Sequence, residues 1–168
     1  MNKAQHKTGV GIPQVTQAVL LAGWFVMVVM VGGGIYESLI IDTAWPGNLA
    51  LVQPELGGIN RKVFWIPLHA LMTLLLALSL WLCWRDRSVR NLLLLAVVFY
   101  LVVRAWSAFY FIPVALEFEA AAPEAPLPDA GHWVALSPLR TLLSLAAALC
   151  LTQVLFRRAG SGGPQDGV

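Results

Sequence analysis

An all-α bundle of four membrane-crossing helices is the fold class that the sequence predicts, and three observations predict it. Of 168 residues, 58% are hydrophobic and only 12% are charged, whereas a water-soluble domain carries about 25% charged residues. Four apolar runs each reach the roughly 20 residues that a helix needs to cross hydrocarbon. Between those runs lie most of the charges. No basic patch interleaves with aromatics, so nucleic acid is not an expected partner. Cys83 and Cys150 sit inside apolar stretches without metal-ligand spacing and read as packing residues.

The first span is read at 15–41, after Pro13 and before the break at Pro46-Gly47-Asn48. Its apolar core is longer than the h-region of a cleaved signal, and no A-x-A-like site follows, so it is expected to stay in the chain. The second span is read at 63–84 and the third at 91–116, with the polar turn Arg85-Asp86-Arg87-Ser88 between them. A proline-rich stretch, AAAPEAPLPDAG (120–131), leads to the fourth span at 134–156. By domain, residues 1–14 form an N-terminal segment, 15–157 the membrane domain and 158–168 a tail. The tail's composition, GSGGPQDGV, predicts disorder.

Lys3, Lys7, Arg85, Arg87, Arg90, Arg157 and Arg158 all fall on one side of this arrangement. Arg61 and Lys62 fall on the other, together with Glu117, Glu119, Glu124 and Asp129. The positive-inside rule therefore predicts both termini in the cytoplasm and the loops 42–62 and 117–133 outside, in an inner (plasma) membrane. Trp45, Trp65 and Trp133 are expected to anchor the outer interface, and Trp81 and Trp84 the inner one. Glu117 and Glu119 read as solvated loop charges.

Each span contributes one ionisable group in its outer half: Glu37, His69, Arg104 and Arg140. An intramembrane charge costs at least about 2.5–3.5 kcal/mol, so such groups turn into the bundle and find each other. The simplest arrangement pairs Glu37 with Arg104, Arg140 or both, with His69 within reach. Two arginines against one carboxylate leave positive charge for helix carbonyls, water or an anionic ligand to meet. These four are the candidate catalytic residues, and the same set also reads as a structural ion pair. His69 alone builds no metal site, since no second ligand stands at i+3 or i+4, and His132 is the one residue that could join it from the outer loop. No metal site is expected, and no cofactor is identified.

Gly32, Gly33 and Gly34 remove volume one turn before Glu37, letting a neighbour approach or leaving a void. Helical spacing puts Tyr100, Ser107, Ala108 and Phe111 on the side of Arg104, with Trp106 and Tyr110 as an adjacent aromatic stripe. Tyr36, Trp106 and Tyr110 are the expected substrate-binding residues. Pro113 weakens the third span above the cavity, as Ser137 and Pro138 do near the start of the fourth.

The segments GGGIYESLIIDTAWPGN (32–48), FWIPLH (64–69), RAWSAFYFIP (104–113) and HWVALSPLR (132–140) resemble small four-helix bacterial membrane proteins similar to the anthrone oxygenase-like group. The resemblance covers about residues 15–156, although the proline typical of such families is replaced here around Asp42-Thr43. It implies a four-helix bundle with its site in the outer half, and cofactor-free oxygenation of a phenolic or quinol-like substrate.

Two functions stay open at this point. One is a pocket in the outer leaflet that binds, and as an enzyme would oxidise, a small hydrophobic phenol- or quinol-like molecule. The other is a non-catalytic accessory or lipid-binding subunit of a larger complex, or a homo-oligomer. For that role the small residues Ser144, Ala146, Ala147 and Ala148 are the expected partner face. Transport is disfavoured, because no inverted repeat is apparent.

Overall fold

The computed structural model describes residues 12–122, 125 and 129–160. The segment up to residue 11, the tail from 161 and Glu124 lie outside the described residues, so the expectations placed there have no structural counterpart. The described residues are overwhelmingly helical and form an all-α four-helix bundle. The spans Gln14–Gly47, Arg61–Cys83, Arg87–Ala120 and Ala130–Arg158 are each long and apolar enough to cross a membrane, and the chain is an integral membrane protein.

Helix α1 (Ile12–Tyr36) does not stop at Tyr36. It continues through a π turn, Glu37–Ile41, in which the Asp42 N–H bonds back five residues to the Glu37 carbonyl, and then through one α turn, Asp42–Ala44. Three short 3₁₀ turns come next, Trp45–Gly47, Leu49–Val52 and Pro54–Leu56, closed by Gly57 at φ +83°. Helix α2 (Arg61–Leu82) is capped by Asn60, whose side chain accepts the Lys62 N–H at 3.2 Å. Helix α3 (Arg87–Trp106) is capped by Asp86, which accepts from Ser88 and Val89 at 3.1 and 3.2 Å. A second π turn, Ser107–Phe111, joins α3 to α4 (Ile112–Ala120). The helix thus reaches Ala120, so Glu117 and Glu119 are helical rather than in a loop. Helix α5 (Ala130–Gly160) starts and ends about four residues beyond the predicted fourth span.

Helix α5 is the centre of the bundle: it packs most extensively on α3 and α1, while α1 also packs on α2. Helices α2 and α3 touch little. The core between them is filled by Met27, Met72, Leu93, Ala147 and Val154, all fully buried. Of the small-residue face predicted for an external partner, Ala147 and Ala148 are therefore spent inside the bundle, while Ser144 and Ala146 are partly buried. Large apolar side chains such as Phe25, Leu74, Phe109 and Phe156 cover the outside, as hydrocarbon solvent permits.

A second cluster caps the bundle at the Glu37 end, where Trp45, Leu49 and Val52 from the 3₁₀ turns pack on Phe111, Phe118 and Trp133. The Trp45 ring lies 4.8 Å from Phe118 and 5.8 Å from Trp133. Gln53 pins this cap by donating from Nε2 to the carbonyls of Phe118 and Ala121 at 3.1 and 2.6 Å, carbonyls that the end of α4 leaves without helical partners. Trp45 and Trp133 are consequently buried, at 0% and 2% exposed, and do not anchor an interface as predicted. Trp81 and Trp84, at the opposite end, are exposed as an interfacial belt requires.

Candidate functional site

The sparse contact between α2 and the α3–α4 rod leaves a cavity of about 340 Å³. Glu37, His69, Arg104 and Arg140 all line it, one from each span, together with Arg61, Lys62, Trp65, Ser107, Phe111 and Trp133. Glycines make the closeness possible. A Cβ on Gly33 would come within 2.6 Å of the Phe64 ring, and one on Gly34 within 2.5 Å of Thr141 Oγ1. Side chains of α2 and α5 therefore rest directly against the α1 backbone at the level of the cavity.

The partner of Glu37 is not an arginine. Its Oε1 accepts the indole N–H of Trp65 at 2.7 Å, and no arginine nitrogen comes within ion-pair distance of it among the described residues. Arg61 and Arg140 act on Glu37 through charge at longer range. The reason is packing. The Arg140 guanidinium lies 3.6 Å above the Phe111 ring and 5.4 Å from that of Trp133, with Nη2 donating to Ser137 Oγ at 3.0 Å. Arg61 shares the same indole, 5.1 Å from its centroid. Cation–π contact of this kind contributes about 0.5–2 kcal/mol, and it holds both cations beside the carboxylate rather than on it.

Arg104 stands deeper, and its charge reaches His69 and Tyr100 rather than Glu37. The His69 ring stacks on Trp65 at 5.6 Å, and the Tyr100 hydroxyl lies 3.5 Å from His69 Nδ1 and 2.8 Å from Thr73 Oγ1. His132 does not join His69. It pairs with the Tyr110 hydroxyl at 2.9 Å at the start of α5. No cluster of three metal-ligating side chains occurs among the described residues.

The three residues predicted to bind substrate do not line the cavity. Tyr36 is 58% exposed on the outside of the first span, while Trp106 and Tyr110 pack edge-on against Phe111 in the capping cluster. Each π turn inserts a residue and swings the side chains beyond it by about 100° relative to a regular helix. Ser107 and Phe111 face inward as the helical spacing predicts, while Ala108 does not and is exposed. Pro113, which cannot donate to Phe109, stands just after the second π turn.

Sequence reasoning passes over the parts that four residues play here. Asp42, 1% exposed, accepts from the Trp45 indole at 3.2 Å and lies beside Ser137, giving the cluster a second carboxylate. Arg61, an outer-loop charge by its place in the sequence, opens α2 and reaches inward. Trp65 and Trp133, expected at the interface, line the cavity instead. The available signal is spacing: Arg61, Trp65 and His69 recur every four residues, which places all three on one helix face.

The mouth of the cavity lies between α2 and α4. Its lips, Ile66, Ile112 and Leu116, are apolar and exposed, and Ile66 is 64% accessible. One polar strap crosses it, a 2.5 Å ion pair between Lys62 Nζ on α2 and Glu119 Oε2 on α4. No family model, curated protein or solved structure matches the chain.

Proposed function

We propose that this integral membrane protein binds a small hydrophobic phenol- or quinol-like molecule that enters its cavity from the lipid. The single observation that carries this reading is the cavity itself: about 340 Å³, polar at its centre, with apolar lips facing the acyl chains. That volume is at the low end of the roughly 300–1,000 Å³ of small-molecule sites, which combine apolar walls with a few convergent polar groups. The arrangement of lysines and arginines supports an inner-membrane location with both termini in the cytoplasm, putting the cavity in the outer leaflet.

The resemblance to anthrone oxygenase-like membrane proteins supports an enzymatic version of the same reading. In it, a substrate hydroxyl passes its proton to Glu37 or His69, and Arg140 or Arg104 stabilises the oxyanion that forms. Dioxygen is the oxidant that such cofactor-free chemistry consumes. The test is turnover of a quinol or an anthrone-like substrate by the purified protein and by its Arg140→Gln and Arg104→Gln variants. Loss of one oxyanion-stabilising donor is expected to slow turnover by about 10²–10³-fold, and unchanged turnover in both variants would remove the electrostatic role.

A further inference from the structure

Three guanidiniums line the cavity and leave almost all of their donors unused. The guanidiniums of Arg61 and Arg104 make no hydrogen bond among the described residues, and that of Arg140 makes only the one to Ser137. Each guanidinium carries five N–H donors in a planar fork. Arg61 Nη2 and Arg140 Nε are shut away from solvent without a partner. Aromatic faces hold these cations, but a ring quadrupole does not satisfy an N–H as an oxygen does.

The charges do not cancel either. Lys62 and Glu119 neutralise each other at the mouth. Behind them, Arg61 and Arg140 act on the two carboxylates Glu37 and Asp42, one oxygen of each already taken by an indole N–H, while Arg104 stands deeper toward His69 and Tyr100 with no carboxylate beside it. One positive charge is left over in the bundle interior, where an uncompensated charge is destabilising. It lies beside apolar walls, formed by Met30, Val103 and Ile112, and an apolar mouth.

We infer that the occupant is an amphiphile whose head is a singly charged oxyanion, held on the unused arginine donors, and whose apolar chain leaves between α2 and α4. The inference rests on the reading above that a ligand enters the cavity from the lipid, and it gives that ligand an anionic head in place of a neutral phenol. Guanidinium forks match carboxylate and phosphate oxygens bidentately, which excludes a cationic head and disfavours a neutral one. A fatty carboxylate and the phosphodiester of an anionic phospholipid share this chemistry. Either would bring the cluster to neutrality, which a dianionic phosphate monoester would overshoot.

The experiment is equilibrium binding to the full-length protein in a neutral maltoside detergent. The probes are radiolabelled oleate, phosphatidylglycerol and oleyl alcohol, the alcohol having the chain of oleate without its charge. At least one of the two anions is expected to bind saturably at one per chain, about tenfold or more tighter than the alcohol. That ratio corresponds to one charge-assisted hydrogen bond of about 1.5–3 kcal/mol. Arg140→Gln is expected to erase the preference and Arg140→Lys to keep part of it. Binding by oleate alone identifies a fatty carboxylate, and binding by phosphatidylglycerol alone identifies a phospholipid head. Saturable binding of the alcohol as tight as that of both anions overturns the oxyanion head while leaving the cavity a ligand site. If no probe binds saturably, the oxyanion amphiphile is overturned, while the quinol turnover test above decides the phenolic reading separately. The comparison among probes on the unmodified chain holds even if the variants fail to fold.

Discussion

Trp65 donates its indole N–H to Glu37 at 2.7 Å, so the carboxylate inside the bundle is held by an aromatic neighbour on α2 and not by an arginine. The same indole stacks on His69. One side chain therefore contacts both residues proposed above as proton acceptors. It also leaves the arginines' own donors open for a ligand.

Removing that donor while keeping a ring tests the arrangement. Trp65→Phe is expected to cost about 1–3 kcal/mol, because a buried acceptor loses its partner. Glu37→Gln keeps an acceptor for the indole and is expected to cost less. Thermal unfolding in detergent measures both. Equal losses, or a Trp65→Phe change within about 0.5 kcal/mol, would mean that the pair is not what places Glu37.

At the mouth, the Lys62–Glu119 pair is half-open to its surroundings, at 49% and 18% exposure. Such pairs contribute only about 0–1 kcal/mol, so Lys62→Ala should barely move the unfolding temperature. Ligand exchange is a different matter, since the pair spans the gap between α2 and α4. Lys62→Glu and Glu119→Lys, each alone, should speed release of a bound probe by placing like charges across the gap. The double exchange should restore the original rate. Additive effects in that cycle would show that the strap does not close the mouth.

The sequence carries the architecture well because lipid imposes one rule on every span: about 20 apolar residues with all backbone groups paired inside the helix. Depth along each span is equally legible, and Glu37, His69, Arg104 and Arg140 do line one cavity. What it hides is rotation and reach. The π turns at Glu37–Ile41 and Ser107–Phe111 break the 3.6-residue phase, and nothing in the apolar pattern announces them. Tyr110, inside the second of these turns, is the predicted substrate-binding residue that the phase break touches, whereas Tyr36 and Trp106 precede the turns and are placed by proximity to Glu37 and Arg104 alone. Trp45 and Trp133 are misread because an indole suits a headgroup belt and a buried cap equally well in composition. Only the fold of the 3₁₀ turns over the helix ends decides between them.

The three glycines before Glu37 should behave differently, although they are neighbours. Gly32 has open space where a Cβ would go, so Gly32→Ala should be neutral or stabilising by up to about 1 kcal/mol through helix propensity. Gly33→Ala would drive a methyl into the Phe64 ring, and Gly34→Ala one into Thr141. Overpacking of this kind costs about 1–3 kcal/mol. Unfolding temperatures of the three single variants give the ranking. A destabilised Gly32→Ala beside a neutral Gly33→Ala would contradict the approach of α2 to α1.

Gln53 is the fastener of the cap, with Nε2 donating to the Phe118 and Ala121 carbonyls. Gln53→Leu keeps its bulk and removes its donors. A loss of about 1–3 kcal/mol is expected from the stranded carbonyls, together with faster proteolysis in the 45–60 segment. A cap that stays protected at wild-type stability would show that the Trp45–Phe118–Trp133 packing suffices without it.

The most direct test of the cavity as a ligand site is a crystal structure of the full-length protein grown with a fatty acid brominated near its middle, read by anomalous scattering. The bromine signal is expected between α2 and α4, beside Ile66 and Leu116, with the carboxylate within hydrogen-bond distance of Arg140 or Arg61. Bromine found only on the outer helix faces, with the space between Glu37 and Arg140 filled by protein side chains, would contradict a ligand site there.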